Sequence, residues 1–544
     1  MLRMKDDDIR LSWWERNQRI EALSLPNTLP DMLAEAAGRW PNQIAYNFFD
    51  RGETRTFAQL RVEVRRLADA LQQLGIRHGD HVAVMLSNRI EYPITWLALA
   101  EIGAVMAPIV LSSTPREIHF FISDCEARFL VVEEPELRTR SMRPGEGPLP
   151  PAENVIFVGP VEEHRSSPRY DTLVAQGSAD FAPLRAPTAN DPVNIQYTSG
   201  TTGLPKGAML SHRYWIIGAA ATMEFFGIDH VSALSVSPFY YIDAQAFALK
   251  ALYSGARVDF SPRPSINRFV DWLYQNQTSV TWLTEQVLEL PPRPEERAAG
   301  VKLFLGYSQS VETIKRTLER FGAPTRELYG ATEFGGGAAV PLVVEDPAIL
   351  GTCGVPLPFR RLRIVREDGR EAVPGEVGEL WVSGDGLLQG YWKRPEANAD
   401  FLADGWFRTG DLFVQDDRGY YSIVGRIKDM IRRSEENISA LEVEQVIKDF
   451  PGVLDSAVVA VPDPEREEEV KAYILMAPNL EPPSFEEILS HCRERLAPFK
   501  VPRYLTFVDE FPYTPSEKVA KKQLTAGVDD LRAGAWDARD QIQR

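Results

Sequence analysis

Cysteine is scarce: Cys125, Cys353 and Cys492 are the only three in 544 residues, at spacings that fit neither a metal site nor a disulfide framework. A reducing, cytoplasmic compartment is expected. Histidine numbers only seven, and neither His212 nor the others fall at metal-ligand or triad spacing, so a structural role is expected for them. Basic residues are outnumbered, 60 Lys and Arg against 77 Asp and Glu for a net charge of −17, and that surplus of carboxylates repels nucleic-acid phosphates. Polynucleotide binding is a poor first reading. No long hydrophobic run is present: the most apolar stretch, 92–111, is broken by Pro93, Glu101 and Pro108, which predicts a buried helix followed by a strand rather than a bilayer span. The mixed-charge N-terminus lacks the apolar segment of a secretory signal. A soluble protein is expected.

What is abundant is ordinary for a globular chain. Apolar residues make up 44%, charged 25% and aromatic 10%, enough to build large cores, and the length predicts about three to four units of roughly 150 residues. From 191 to 329 strand and helix alternate: a strand at 193–197, a Gly/Thr loop, a helix capped by Ser211, helix 266–275, strands 279–283 and 301–307, helix 311–321 and strand 326–329. Such alternation predicts one parallel, helix-covered sheet with ligands gathered beyond its carboxyl edge, where the loop after Tyr197, the Gly306-Tyr307 pair and Tyr329 would meet. After about 350 short strands with Gly/Pro turns predict a β-rich subdomain, and beyond a boundary near Gly425 a compact α+β unit follows. Its first helix carries Val443, Val446, Ile447 and Phe450 on one stripe, and Ser484 with Glu487 forms a capping box for the second. The fold class is therefore α/β, with a large N-terminal domain over 1–425 that includes the β-rich part at about 350–425, and a small C-terminal domain over 430–544.

The densest chemical signal is Tyr197-Thr-Ser-Gly-Thr-Thr-Gly-Leu-Pro-Lys-Gly207. Glycines let backbone N–H groups converge on anionic oxygens, the hydroxyls add donors, and Lys206 supplies a point charge, so the loop reads as a phosphate cradle. It is not a Walker A loop, because Gly207 rather than Ser or Thr follows the lysine.

At this loop the chain resembles the adenylate-forming superfamily of acyl-CoA synthetases, luciferases and nonribosomal adenylation domains. The likeness covers nearly the whole chain and continues, in family order, through Tyr329-Gly-Ala-Thr-Glu333, Gly405-Trp-Phe-Arg-Thr-Gly-Asp411, Gly425-Arg-Ile-Lys-Asp429 and Pro512-Tyr-Thr-Pro-Ser-Glu-Lys518. The surroundings of Tyr241-Ile-Asp-Ala-Gln245 and of 432–443 are most similar to the branch containing crotonobetaine/carnitine-CoA ligases. The resemblance implies an ATP-dependent carboxylate–CoA ligase that uses Mg²⁺ and coenzyme A. It makes an acyl-adenylate with release of pyrophosphate, then an acyl-CoA thioester with release of AMP.

Residue by residue, the resemblance implies that Thr198, Ser199, Gly200, Thr201, Thr202, Gly203 and Lys206 hold the β- and γ-phosphates. Thr332 would contact the α-phosphate and Glu333 would bind Mg²⁺. Asp411 and Arg426 would hold the ribose, Gly306, Tyr307 and Tyr329 would frame the adenine with a tyrosine ring as a stacking face, and Gly330 would belong to the same nucleotide site. Lys518 is the implied catalytic cation, bridging the attacking carboxylate and the α-phosphate. Lys428, in a hinge at 426–429, would let the small domain swing between two poses, the second presenting Glu435 and Glu436 to the thiol. Tyr241, Gln245, Gly306 and Gly335 are expected to line the acyl pocket. Three residues depart from the pattern: Glu435 and Glu517 stand where relatives often carry Gly, and Lys521 stands where Arg is frequent. A glutamate on the path of an anionic cofactor keeps a second reading open, in which a separate acyl-carrier protein accepts the acyl group. A third, a nucleotide-binding scaffold without turnover, has Lys206, Glu333, Asp411, Arg426 and Lys518 against it.

Overall fold

The computed structural model describes residues 12–541 apart from 163–165, 199–204, 229–230, 308, 434–435, 478–479, 514–518 and 529. The apolar stretch at 92–111 forms helix Glu91–Ile102 and strand Val105–Pro108, joined at Gly103 in the left-handed conformation. Pro93 lies in the first helical turn, where its missing N–H breaks no hydrogen bond. Helix and strand are buried almost throughout, which explains the lack of a polar face. No helix among the described residues is long and apolar enough to cross a membrane.

The expected single sheet over 191–329 is in fact two. Strand Pro192–Thr198 is followed not by a crossover helix but by strand Lys206–Ser211, which pairs back on it antiparallel, with Thr198 opposite Lys206. This hairpin edges a six-stranded sheet whose other neighbours are Val105–Pro108, His81–Met85, Phe129–Val132 and Val155–Phe157, all parallel. Ser211 then caps helix His212–Phe226, its Oγ accepting from the Tyr214 N–H at 3.2 Å.

The remaining strands of the alternating region belong to a nine-stranded sheet. Thr325–Ala331, Leu303–Gly306, Val280–Trp282, Ser232–Ser235, Arg257–Phe260 and Ile44–Phe48 run parallel in that order, and antiparallel strands close both edges. Helices Ile266–Asn276 and Val311–Phe321 carry clean apolar stripes, and Phe269, Trp272 and Leu273 of the first and Ile314 and Phe321 of the second are buried. The carboxyl ends of these parallel strands face the loops that carry the residues singled out above.

A five-stranded antiparallel sheet follows, ending in the paired strands Trp406–Gln415 and Tyr421–Arg426. The chain leaves it through the single turn Ile427–Asp429 and enters a fourth sheet at Met430. That sheet has its own core, in which Val443 and Ile447 of helix Ala440–Lys448 and Ile488, Leu489 and Cys492 of helix Phe485–Arg495 are fully buried. The capping box on the second helix is present, with Glu487 N–H donating to Ser484 Oγ at 3.3 Å and Ser484 N–H to Glu487 Oε2 at 2.8 Å. All three cysteines are buried and free.

Candidate functional site

Lys206 opens the second strand of the 192–211 hairpin, opposite Thr198. Ser199, Gly200, Thr201, Thr202 and Gly203 between them lie outside the described residues. The Lys206 ammonium sits 5.4 Å from the centre of the Tyr391 ring, within cation–π range. Tyr391 is held there by its backbone: it bridges Ala208, and the Trp392 N–H donates to the Gly207 carbonyl at 2.8 Å. Its hydroxyl donates to Glu333 Oε1 at 2.8 Å, so one side chain links the lysine of the loop to the carboxylate of the Tyr329–Glu333 segment.

Glu333 and Thr332 occupy the return after strand Thr325–Ala331 and are half-buried. The return is tight. A Cβ on Gly330 would come within 2.4 Å of the Gly335 carbonyl oxygen, and Gly335 itself holds φ at +64°. Burial pushes the Glu333 carboxyl above its ordinary value, and the Tyr391 hydrogen bond opposes that shift. A hydrogen bond from the residue's own backbone N–H opposes it as well. An oxygen ligand poised in this way suits a hard cation that keeps most of its shell for phosphates and water. No group of three metal-ligating side chains occurs among the described residues.

Asp411 and Arg426 are direct partners across their antiparallel strands. Arg426 Nε lies 2.9 Å from Asp411 Oδ1, while the Tyr329 hydroxyl donates to Oδ2 at 2.8 Å. Gly410 at φ +70° turns the chain so that the Asp411 N–H donates to Thr409 Oγ1 at 3.0 Å. Tyr329 is buried, its ring packed edge-on to Phe413 at 4.9 Å and beside Phe334 at 5.7 Å. The stacking face expected of it is therefore given over to the core, and its hydroxyl is what reaches the site. Glu333 feels Arg426 and Asp411 with opposite sign, which joins the two clusters electrostatically.

On the third side, Tyr307 follows Gly306 at the end of strand Leu303–Gly306. Its ring stacks on Trp282 at 4.0 Å with an interplanar angle of 11°, and its hydroxyl donates to Asp243 Oδ1 at 3.0 Å. Tyr241 begins helix Ile242–Ser254, half-buried and edge-on to Tyr240. Gln245 is a correction. It is fully buried, its Nε2 donating to the Phe239 carbonyl at 3.0 Å and its Oε1 accepting from Asn194 at 3.2 Å, so it braces the core and lines no pocket.

Lys428 lies in the turn between the third and fourth sheets, and desolvation pushes its ammonium below the ordinary value. Glu436 opens the second strand of the hairpin Met430–Arg433 and Glu436–Ser439, opposite Arg433. Glu435, Glu517 and Lys518 lie outside the described residues. Tyr513 and Val519 pair across the segment that contains the last two. Lys521 forms an ion pair with Glu444 at 2.6 Å.

The structure thus brings Lys206, Glu333, Tyr329, Asp411 and Arg426 together, and adds three residues that sequence reasoning missed. Tyr391 and Trp282 belong to none of the motifs above, and Asp243 lies inside the Tyr241–Gln245 segment without a role assigned to it there. Their only signal is a partner far along the chain, 58 residues for the Tyr391–Glu333 bond and 64 for Tyr307–Asp243.

Comparison with known proteins agrees in extent with this arrangement. A family model described as AMP-binding enzyme matches residues 33–392, and one described as AMP-binding enzyme C-terminal domain matches 442–518. The long-chain-fatty-acid–CoA ligase of Yersinia pestis is 30% identical over 94% of this chain and 96% of its own. The crotonobetaine/carnitine–CoA ligase of Proteus mirabilis is 30% identical over 87% and 94%. Among solved structures, ATP-bound MatB from Rhodopseudomonas palustris superposes with a TM-score of 0.80 at 26% identity, covering 91% of this chain and 98% of that one. The o-succinylbenzoate CoA synthetase of Bacillus subtilis with ATP and magnesium gives 0.78 at 25%, covering 91% and 99%.

Proposed function

Because the chain belongs to the AMP-binding enzyme family, we propose that it is an ATP-dependent carboxylate–CoA ligase working through an acyl-adenylate. The observation that carries this is the run of contacts from Lys206 through Tyr391 to Glu333, set beside the Tyr329–Asp411–Arg426 cluster. One set offers a cation and a metal-binding carboxylate to a triphosphate, and the other offers an acceptor and a donor to ribose hydroxyls.

In the first step a carboxylate oxygen attacks the α-phosphorus and the bond to pyrophosphate breaks. Two anions meet, so the protein's contribution is alignment and neutralisation. Lys206 would face the departing phosphates, Thr332 the α-phosphate, and Lys518 the attacking carboxylate. Glu333 would hold Mg²⁺, whose chemistry there is to offset the triphosphate charge. In the second step the thiol of coenzyme A loses its proton, attacks the acyl carbonyl and expels AMP. Between the steps the small domain would turn about 426–429, with Lys428 at the pivot.

The test is carboxylate-dependent exchange of labelled pyrophosphate into ATP, followed by addition of coenzyme A. Exchange with no carboxylic acid would refute adenylation. Exchange without thioester formation would move the acceptor to a carrier protein, as Glu435 in the sequence allows.

A further inference from the structure

We propose that Tyr307, braced by Trp282 and tied to Asp243, forms a crossbar that closes the acyl pocket, so that the enzyme takes compact carboxylic acids and rejects long alkyl chains. The proposal rests on the ligase reading above and deepens it by naming the substrate class.

Gly306 and Tyr241 mark two walls of the expected pocket, one at the end of a parallel strand and the other at the start of a helix. The residue after the first wall is a tyrosine, and its hydroxyl reaches the carboxylate two residues after the second, at 3.0 Å. A side chain therefore spans the gap between strand end and helix start. It is not loosely placed. Trp282 closes the neighbouring strand, in register with Leu305, and its ring lies flat against Tyr307 at 4.0 Å. Tyr307 nonetheless keeps 50% of its surface exposed, so its remaining side borders open space rather than core.

On the turns next to Asp243, Ala244, Gln245, Phe247 and Ala248 are buried and Ile242 and Ala246 half-buried. A long chain would have to lift the ring off Trp282 and break the hydrogen bond to Asp243. Each change costs binding and neither is repaid by an apolar chain. A short, branched or single-ring acid stops before the crossbar and meets none of these costs.

The test compares kcat/KM for acid-dependent pyrophosphate exchange across butanoate, a branched short acid, benzoate and dodecanoate. The wild-type protein should favour its best compact acid over dodecanoate by at least about tenfold, the scale on which pocket shape discriminates apolar groups. Tyr307→Ala should lower that ratio about tenfold or more, whereas Tyr307→Phe, which keeps the stacked ring, should leave most of it. Equal use of dodecanoate by the wild-type protein would overturn the crossbar while leaving the ligase intact, even if the alanine variant fails to fold. A folded Tyr307→Ala protein with an unchanged ratio would overturn it as well. Exchange with no acid at all would instead take down the ligase reading and the crossbar with it.

Discussion

Tyr391→Phe isolates a single hydroxyl at the junction of the two charges the chemistry needs. The phenylalanine ring keeps the face that lies 5.4 Å from the Lys206 ammonium, and the backbone bridge to Ala208 does not depend on the side chain. What is lost is the donor to Glu333 Oε1 at 2.8 Å. A hydrogen bond to a charged group contributes about 1.5–3 kcal/mol, or about 10- to 100-fold in an equilibrium constant, and removing the partner that orients a metal-binding carboxylate weakens metal affinity on the same scale. Pyrophosphate exchange titrated with Mg²⁺ at fixed ATP should therefore need about 10- to 100-fold more metal in the variant, while the thermal midpoint stays near that of the wild-type protein. Glu333→Gln, which removes the charge itself, should be more severe. A Tyr391→Phe titration that superimposes on the wild-type curve would refute the argument that this hydroxyl sets the carboxylate for a cation.

Asp411→Asn keeps an acceptor for the Tyr329 hydroxyl but loses the charge that faces Arg426, so KM for ATP should rise about 10- to 100-fold, whereas Asp411→Ala should also lower stability by about 1–3 kcal/mol by stranding a buried hydroxyl; thermal midpoints of the two variants should differ accordingly. Lys518→Ala should abolish pyrophosphate exchange and leave ATP binding nearly intact, and an unchanged exchange rate would remove that residue from the mechanism. His212 is fully buried, and desolvation lowers its pKa from 6.5 to about 4 despite the opposing charges of Asp191 and Asp31. The fold therefore holds it neutral, and the unfolded chain takes up the proton first as pH falls. Its contribution to stability is whole above pH about 6.5, falls through the window down to about 4, and has lost about 2 kcal/mol at pH 5. Unfolding free energies from urea titrations at pH 7.5 and pH 5 should diverge by that amount more in the wild-type protein than in His212→Gln.

Local physics made much of this molecule legible in one dimension. Helix Val311–Phe321 and the Ser484–Glu487 box are written in residues three or four apart, and the structure has them at those positions. The phosphate-loop reading is similarly local, because backbone can approach an anion only where glycines and hydroxyls are adjacent in the chain. Pairing between distant segments leaves no such record. Strand Lys206–Ser211 reads as the lead-in to a helix until its partner Pro192–Thr198 is known, and the same ignorance merged two sheets into one. Gln245 shows the cost most plainly. Asn194 Oδ1 accepts from both Trp96 and Trp215, at 2.9 and 3.0 Å, and its amide then donates to Gln245, so a polar residue beside the pocket motif is spent holding two tryptophans in place. Groups that bind the shared nucleotide must sit on backbone shaped for it and so come as motifs. The walls of the acyl pocket answer only to one another, which is why Tyr307 and Asp243 were invisible as a pair, and why substrate choice is the part of such an enzyme most dependent on three-dimensional contacts.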